Sequence, residues 1–425
     1  MGDAPADWML GFSMNIASMS LTGSNGSVTA VSSTTPMEMM HLMGTMQPLS
    51  MISAPQGTYT GATISIASAT VMYLDPNTKL PVQKTIAGPI SATTTFGSPI
   101  TVGSTPMAMG FDLDLASSVT ADSSGNLMFN PVFHVSSGTQ GSGNPLDPAN
   151  GGIQQMMGAI SNITGTSFTM TSLQAAQTFT FSTNSATMFD NITNMSMMAN
   201  GMLVMVDASL QSDGSLLATR IQSIMKSGGV IGGGVITSAT GQPATQLNMV
   251  MQNGAGAGMM SSTFGQGVSI ALNGSTLYQI DTTDMDMSNL PFTPVFDNTH
   301  IYAGQNTLPI SSGGMISGTS GGMGMMGGVS MAGSITASEV DLRQQGLSGT
   351  TATAIVSGAR SSFTMTLPSD SAFTALTGAT TVTVYQQPET IISGGSSIAS
   401  GATVHAFGLL FLNSGQWRMV ASRMN

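Results

Sequence analysis

The sequence predicts an all-β protein built from tandem units. Three observations predict it. Apolar residues alternate with Ser or Thr at period two, as in Ala62-Thr63-Ile64-Ser65-Ile66 and Thr380-Thr381-Val382-Thr383-Val384-Tyr385. Gly, Asn, Asp and Pro punctuate these runs. The order of the runs repeats after residue 152. Such alternation describes antiparallel sheet with one face in water.

The first unit, residues 1–137, carries one helical signal. Thr35-Pro36-Met37-Glu38 has the form of a capping box with Pro at the first helical position. Met37, Met40, Leu42, Met43 and Met46 follow at near-helical spacing, and Gly44 and Pro48 limit the length. One short helix is expected there. Residues 138–152, rich in Gly, Ser, Asn and Pro, read as a linker.

The first repeat covers 153–226. Gly158-Ala159-Ile160-Ser161 leads to Ser167-Phe168-Thr169-Met170, then Gly201-Met202-Leu203-Val204, then Leu216 to Ile221. The last repeat, 346–425, keeps that order: Gly349 to Val356, Ser362-Phe363-Thr364-Met365, Gly401-Ala402-Thr403-Val404, then Trp417 to Ala421. The middle unit, 227–345, is more diverged. Gly234-Val235-Ile236-Thr237 opens it, Gly304-Gln305-Asn306 lies late and Ile335 to Leu342 closes it. Its Gly/Met-rich stretch, 311–333, reads as a long loop. Each unit holds five or six short strands, enough for a small barrel.

Composition narrows the function. The chain has 425 residues, 41% hydrophobic and only 6% charged, against about a quarter charged in ordinary soluble proteins. Disorder goes with low hydrophobicity and high net charge, and neither holds here. No run approaches the roughly 18 apolar residues of a transmembrane helix. The net charge of −11 and the lack of a basic patch argue against nucleic acid as a partner. An uncharged surface repels its neighbours weakly and favours association. It also changes little on acidification, which fits an acidic habitat. Absence of Cys excludes disulfides, thiolate metal sites and Cys nucleophiles. Met1 leads directly into Gly2-Asp3-Ala4-Pro5, so any targeting segment has been removed or lies outside the numbered chain.

Residues 1–137 resemble the bacterial family called domain of unknown function 4382. The shared features are Gly2-Asp3-Ala4-Pro5-Ala6-Asp7, the helical signal, and the turn Pro55-Gln56-Gly57-Thr58-Tyr59-Thr60. Phe111-Asp112-Leu113-Asp114 and Asn130-Pro131-Val132-Phe133-His134-Val135 complete them. The three later units are similar to domain of unknown function 5666, on Gly, Phe-Thr and Gly-x-x-Val spacings. The expected architecture is therefore an N-terminal β-sandwich with one short helix, followed by three tandem small β-barrel-like units. The resemblance implies an exported, often lipid-anchored envelope protein and implies no chemistry. The sequence departs from it by lacking a lipobox Cys and by starting almost at the Asp-Ala-Pro turn, where the family has a preceding strand. A sandwich without that strand has an open edge. A strand from another copy can fill it, with Met1, Asp3, Pro5, Trp8 and Leu10 as candidate subunit contacts. The plainer alternative is that the numbered chain omits a few residues.

Local constellations are weak. Met37, Met40, His41 and Met43 combine thioether and imidazole, which suits Cu(I), but Met is elevated throughout and fills cores. Asp281, Asp284 and Asp286 offer oxygens at short spacing for Ca²⁺, without the Gly and closing Glu of an EF-hand. Gly322-Met323-Gly324-Met325-Met326-Gly327 and Gly318-Thr319-Ser320-Gly321-Gly322 match dinucleotide and nucleophile-elbow patterns but lack the strand and helix those need. The four His are scattered. Trp8 and Trp417 read as core or contact anchors. The sequence thus predicts an extracellular or cell-surface protein that is non-enzymatic and uses no cofactor. Its leading partner is further copies of itself, in a filament formed by strand addition. The alternative is a monomeric envelope binding module for a glycan or a metal ion.

Overall fold

Period-two alternation becomes long strands where both neighbours also alternate. The protein is described by a computed structural model. It describes residues 2–3, 7–42, 46–75, 77–121, 126–138, 151–173, 177–224, 229–230, 232–252, 264–283, 285–311, 332–356, 358, 360–392 and 397–425. Met1, Pro5, Met43, Asp284 and the glycine-rich run 318–327 lie outside the described residues.

The N-terminal unit is a β-sandwich. Its strands are β1 (Gly2–Asp3), β2 (Met9–Gly23), β3 (Gly26–Val31), β4 (Thr35–Glu38), β5 (Gly57–Leu74), β6 (Pro81–Val102), β7 (Ala108–Asp114), β8 (Val119–Ala121), β9 (Leu127–Phe129) and β10 (Phe133–Gly138). One sheet runs β3-β2-β5-β6, with β4 beside β2; the other runs β1-β7-β10. Phe12, Ile64, Ile66 and Val71 of the first sheet share a core with Leu113 and Phe133 of the second. Phe12 and Phe129 meet at 5.1 Å between ring centroids. On the solvent face Ser20 pairs with Thr63 and Thr63 with Thr93; Ser18 pairs with Ser65 and Ser65 with Ser91.

The helix expected from Thr35 is not formed. Thr35–Glu38 is strand β4, paired antiparallel with Ser13–Ile16 of β2. Pairing gives β4 a backbone ladder and buries Met37 in the core, a gain that local capping cannot match. The Glu38 carboxylate accepts from the Met40 amide at 3.0 Å, heading a single 3-10 turn, Met40–Leu42. The short helix of this unit is instead α1 (Leu115–Ser118), where Asp114 Oδ1 accepts from the Ser117 amide at 2.9 Å.

Three barrel-like sheets follow. The first uses β11 (Gly152–Ser161), β12 (Ser167–Ser172), β13 (Thr178–Ser182), β14 (Met188–Asp190), β15 (Leu203–Leu210) and β16 (Leu216–Ser223). The second uses β17 (Gly229–Val230), β18 (Gly234–Thr240), β19 (Gln246–Met251), β20 (Gly267–Ala271), β21 (Leu277–Ile280), β22 (Asn306–Ser311), β23 (Ala332–Thr336) and β24 (Glu339–Leu342). The third is a closed barrel of β25 (Gln345–Thr351), β27 (Ser361–Thr366), β28 (Thr381–Ile392), β30 (Thr403–Asn413) and β31 (Gln416–Met424), accompanied by helix α2 (Ala372–Thr377) and by a separate two-stranded sheet of β26 (Ile355–Val356) and β29 (Ser397–Ile398).

One connectivity underlies all three. The opening strand pairs antiparallel with the second and the fourth, as β11 does with β12 and β15, β18 with β19 and β22, and β25 with β27 and β30. The ring is completed by a parallel pair: β13 with β16, β20 with β23, β28 with β31. In the second barrel Ala337 and Ser338 divide the last strand into β23 and β24.

Repeated contacts explain the repeated residues. Gly158, Gly234 and Gly349 sit on the three opening strands. A methyl group there would strike the carbonyls of Thr171, Val250 and Thr366 on the neighbouring strand, so only Gly allows so close a turn. Gly201, Gly304 and Gly401 precede the fourth strands at φ +85°, +89° and +81°, a left-handed geometry that favours Gly. Their amides donate to the carbonyls of Ile160, Ile236 and Thr351 at 2.8, 2.8 and 2.7 Å. The parallel closures carry a threonine each. Thr187, Thr276 and Thr390 hydroxyls donate to the carbonyls of Ala218, Ala337 and Ala421 at 2.8, 2.9 and 2.8 Å. The same hydroxyls accept from the amides of Asn184, Asn273 and Gln387 at 3.0, 3.0 and 2.8 Å.

Buried seams join the units. Leu10, Met72 and Leu74 of the sandwich pack with Val235, Val250 and Phe264 of the second barrel and Ala372 of the third. Leu203 and Met205 of the first barrel meet Leu308 of the second. Leu409, Phe411 and Val420 of the third join the second barrel's core. Among the described residues no helix is long and apolar enough to cross a membrane.

Each of Thr187→Val, Thr276→Val and Thr390→Val keeps the side-chain shape and leaves two buried backbone groups without their shared partner. Each is expected to lower stability by about 1–3 kcal/mol. Urea unfolding of the three variants checks this, and unchanged midpoints would remove the threonine from the account of closure.

Candidate functional site

The N-terminal segment divides into an anchored and a lightly held part. Trp8 packs edge-on against Tyr73, with ring centroids 5.8 Å apart. Leu10 is buried in the seam between units. Gln252 Nε2 donates to the Leu10 carbonyl at 2.5 Å, and the Ala372 amide donates to the Asp7 carbonyl at 2.6 Å. Residues 7–10 are therefore tied into their own chain. The backbone of Gly2 and Asp3 forms β1, which lies parallel to β7 with Gly2 beside Leu113 and Asp3 beside Asp114. β10 holds the other edge of β7 over six residue pairs.

Two of the copper candidates, Met37 and Met40, belong to the sandwich core. Met37 is buried and Met40 packs against the same cluster; His41 lies in the 3-10 turn. The calcium candidates face cations already. Asp281 Oδ2 lies 2.6 Å from Arg343 Nη1, and Asp286 Oδ2 lies 2.9 Å from Arg360 Nη2. Asp286 also accepts from the Ser288 amide at 2.7 Å. Ser288 and Arg360 hold its carboxyl down at about 2. Among the described residues no three His, Asp or Glu side chains converge as metal ligands. Trp417 is core of the third barrel, between Tyr302 and Phe373 at 6.0 and 5.0 Å.

Two seams hold carboxyls that sequence reading did not single out. Glu339, Asp341 and Arg343 alternate along and just past β24, on the face opposite Val340 and Leu342, which point into the barrel. That outward face is covered by the first barrel, where Arg343 Nη2 reaches Met205 Sδ at 3.0 Å. Burial first, and then the Glu339 charge, push Asp341 up to about 7 against the pull of Arg343. Asp7 is likewise pushed up to about 7 by burial, opposed by hydrogen bonding to Ser348 and reinforced by Asp370. It lines a 70 Å³ pocket between sandwich, second and third barrels.

A larger cleft of about 370 Å³ opens where the three barrels meet. The first barrel contributes Gln154 and Gln155. The second contributes Thr283, Met285, Asp286 and Gln344. The third contributes Glu389, Ile391, Ser422 and Arg423. The walls are fixed by polar ties. Gln155 sits at a bulge of β11 with φ +52°, a geometry uncommon for a residue with a side chain. Its backbone N–H donates to the buried Asp207 Oδ1 at 2.7 Å. Gln344 Nε2 donates to the Thr283 carbonyl at 2.9 Å, and Ser422 Oγ donates to Gln344 Oε1 at 2.6 Å. Thr283 Oγ1 in turn donates to Asp281 Oδ1 at 2.5 Å. The Arg423 guanidinium lies over the Phe407 ring, 4.7 Å from its centroid.

The raised carboxyls fix the sign of one pH effect. A carboxyl at about 7 in the native state keeps its proton where the unfolded chain, near 3.8, has lost it. Its contribution is complete below about pH 4 and is lost as pH rises through about 7. Thermal midpoints should therefore rise between pH 8 and pH 5. Asp7→Asn and Asp341→Asn should each flatten that slope. A midpoint that falls over the same range would contradict both assignments.

Residues 157–222 match the model of a family described as domain of unknown function, DUF5666. The match runs from within β11 to within β16 and so takes in Gly158, Thr187 and Gly201. No curated protein matches the chain. The first barrel is thus similar to that family.

Proposed function

We propose that the protein is a non-enzymatic extracellular structural protein that associates with copies of itself by β-strand addition into a surface filament. The observation that carries this reading is β1. It is a two-residue strand, Gly2–Asp3, that lies parallel to β7. A ladder this short contributes little, since each net hydrogen bond is worth about 1 kcal/mol. The same ladder formed on β7 of a second copy replaces one pairing with an identical one. Residues 7–10 stay anchored while the arm exchanges, as in domain swapping. Repeated head to tail, that contact generates an open filament.

Two further features support the reading. The solvent face of the large sheet presents Ser18, Ser20, Thr63, Ser65, Ser91 and Thr93, with no charge at these positions to keep copies apart. The resemblance of residues 1–137 to domain of unknown function 4382 supports export and display on the cell envelope.

Negative-stain electron microscopy of the full chain and of a chain lacking residues 1–6 tests it, at acid and neutral pH. Fibres are expected from the full chain and not from the shortened one. Dispersed monomers from the full chain at high concentration and at both pH values would overturn the proposal. So would fibres that form equally well without the arm.

A further inference from the structure

We propose that the cleft between the three barrels is a binding site for a neutral carbohydrate of one or two rings. This goes beyond self-association and does not depend on it.

Size sets the first limit. A volume of about 370 Å³ lies at the lower end of small-molecule sites, which span about 300–1,000 Å³. Position is the second observation. Sites of this kind favour domain junctions, and here all three barrels supply side chains.

Chemistry selects the ligand class. Gln155 and Glu389 each carry a planar head with two polar atoms side by side, in front of a polar wall formed by Gln344 and Arg423. Such heads bind paired donors or acceptors in a fork, and neighbouring sugar hydroxyls are such pairs. Met285 and Ile391 add apolar surface for the C–H face of a ring. Ionic ligands are disfavoured. The Asp286 charge is matched by Arg360 at 2.9 Å, and the cleft holds one further carboxylate, Glu389, and one further cation, Arg423. No surplus of either sign is left to hold a phosphate or an amine.

Preorganisation completes the argument. Gln344 is fixed at both ends of its amide, and Arg423 is held against Phe407. Gln155 is the most telling residue. Its left-handed backbone is one that Gly adopts at less cost, yet a residue with an amide side chain stands there, its backbone N–H held by Asp207 Oδ1. Strain of this kind concentrates at ligand sites.

Saturation-transfer difference NMR and calorimetry on the full chain provide the test. The probes are D-glucose, D-galactose, D-mannose, maltose and cellobiose, with D-glucuronate and glucose 6-phosphate as charged comparators. At least one neutral sugar should bind saturably. Gln155→Gly removes the amide and relaxes the backbone; Glu389→Ala removes an exposed carboxylate. Each should weaken that binding by at least about tenfold, the loss expected for one or two hydrogen bonds, with the thermal midpoint retained. If Gln155→Gly fails to fold, Glu389→Ala alone decides. Absence of binding by every neutral sugar overturns the proposal. So does binding that Glu389→Ala leaves unchanged, or tighter binding of the charged comparators.

Discussion

A barrel made from a meander and a hairpin has two joints that no turn enforces: the antiparallel pairing of the opening strand with the fourth, and the parallel pair that completes the ring. In all three barrels a buried threonine sits at the parallel joint. Its hydroxyl accepts from a backbone N–H late in the third strand or just after it and donates its own proton to a carbonyl of the last. One oxygen thus satisfies two backbone groups that the crossing chain would otherwise leave unpaired in a dry interior. The glycines act on the other side of the ring. Gly158, Gly234 and Gly349 let the opening strand approach its neighbour closely enough to curve. The left-handed glycines then hand the chain to the fourth strand. Core residues such as Phe168 and Met170, or Phe363 and Met365, fill the space these contacts define.

The four units are held by seams that mix apolar packing with buried charge. Arg343, Asp281, Thr283, Gln344 and Ser422 form a continuous chain of polar contacts from the first barrel's surface to the last strand of the third. Burying Asp341 beside Glu339 is unfavourable while both are ionised. Arg343 offsets part of that cost, and the proton the carboxyl retains offsets more. With 8 basic residues in the chain, placing one of them, Arg343, in a seam commits a scarce cation to holding units together.

Some of this was legible in the sequence. Gly158, Gly234, Gly349, Gly201, Gly304 and Gly401 stood out because a close approach or a left-handed backbone favours Gly at each. The Phe-Thr-Met runs showed because interior and exterior alternate on a barrel strand. The threonine joints did not show. Asn184-x-x-Thr187, Asn273-x-x-Thr276 and Gln387-x-x-Thr390 share a spacing, but a chain so rich in Thr gives that spacing no contrast. The helix at Thr35 was misread because a capping box is a local signal, whereas β4 is decided by the free edge of β2 some twenty residues earlier in the chain. The cleft was invisible for a related reason: Gln155, Gln344 and Arg423 come from three units, and only the seams bring them together. Glu339, Asp341 and Arg343 could be read as one strand face; that another barrel covers it could not.

The parallel joints also give the chain a mechanical character. Tension between its two ends draws an earlier strand backward and a later strand forward. In a hairpin such as β30 and β31 that motion peels hydrogen bonds apart one after another. In a parallel pair the strands must slide past each other, so their bonds are strained together and yield together. β13 against β16, β20 against β23 and β28 against β31 are all loaded in this second way. A pull along the chain therefore meets three clasps in series, each locked by a threonine.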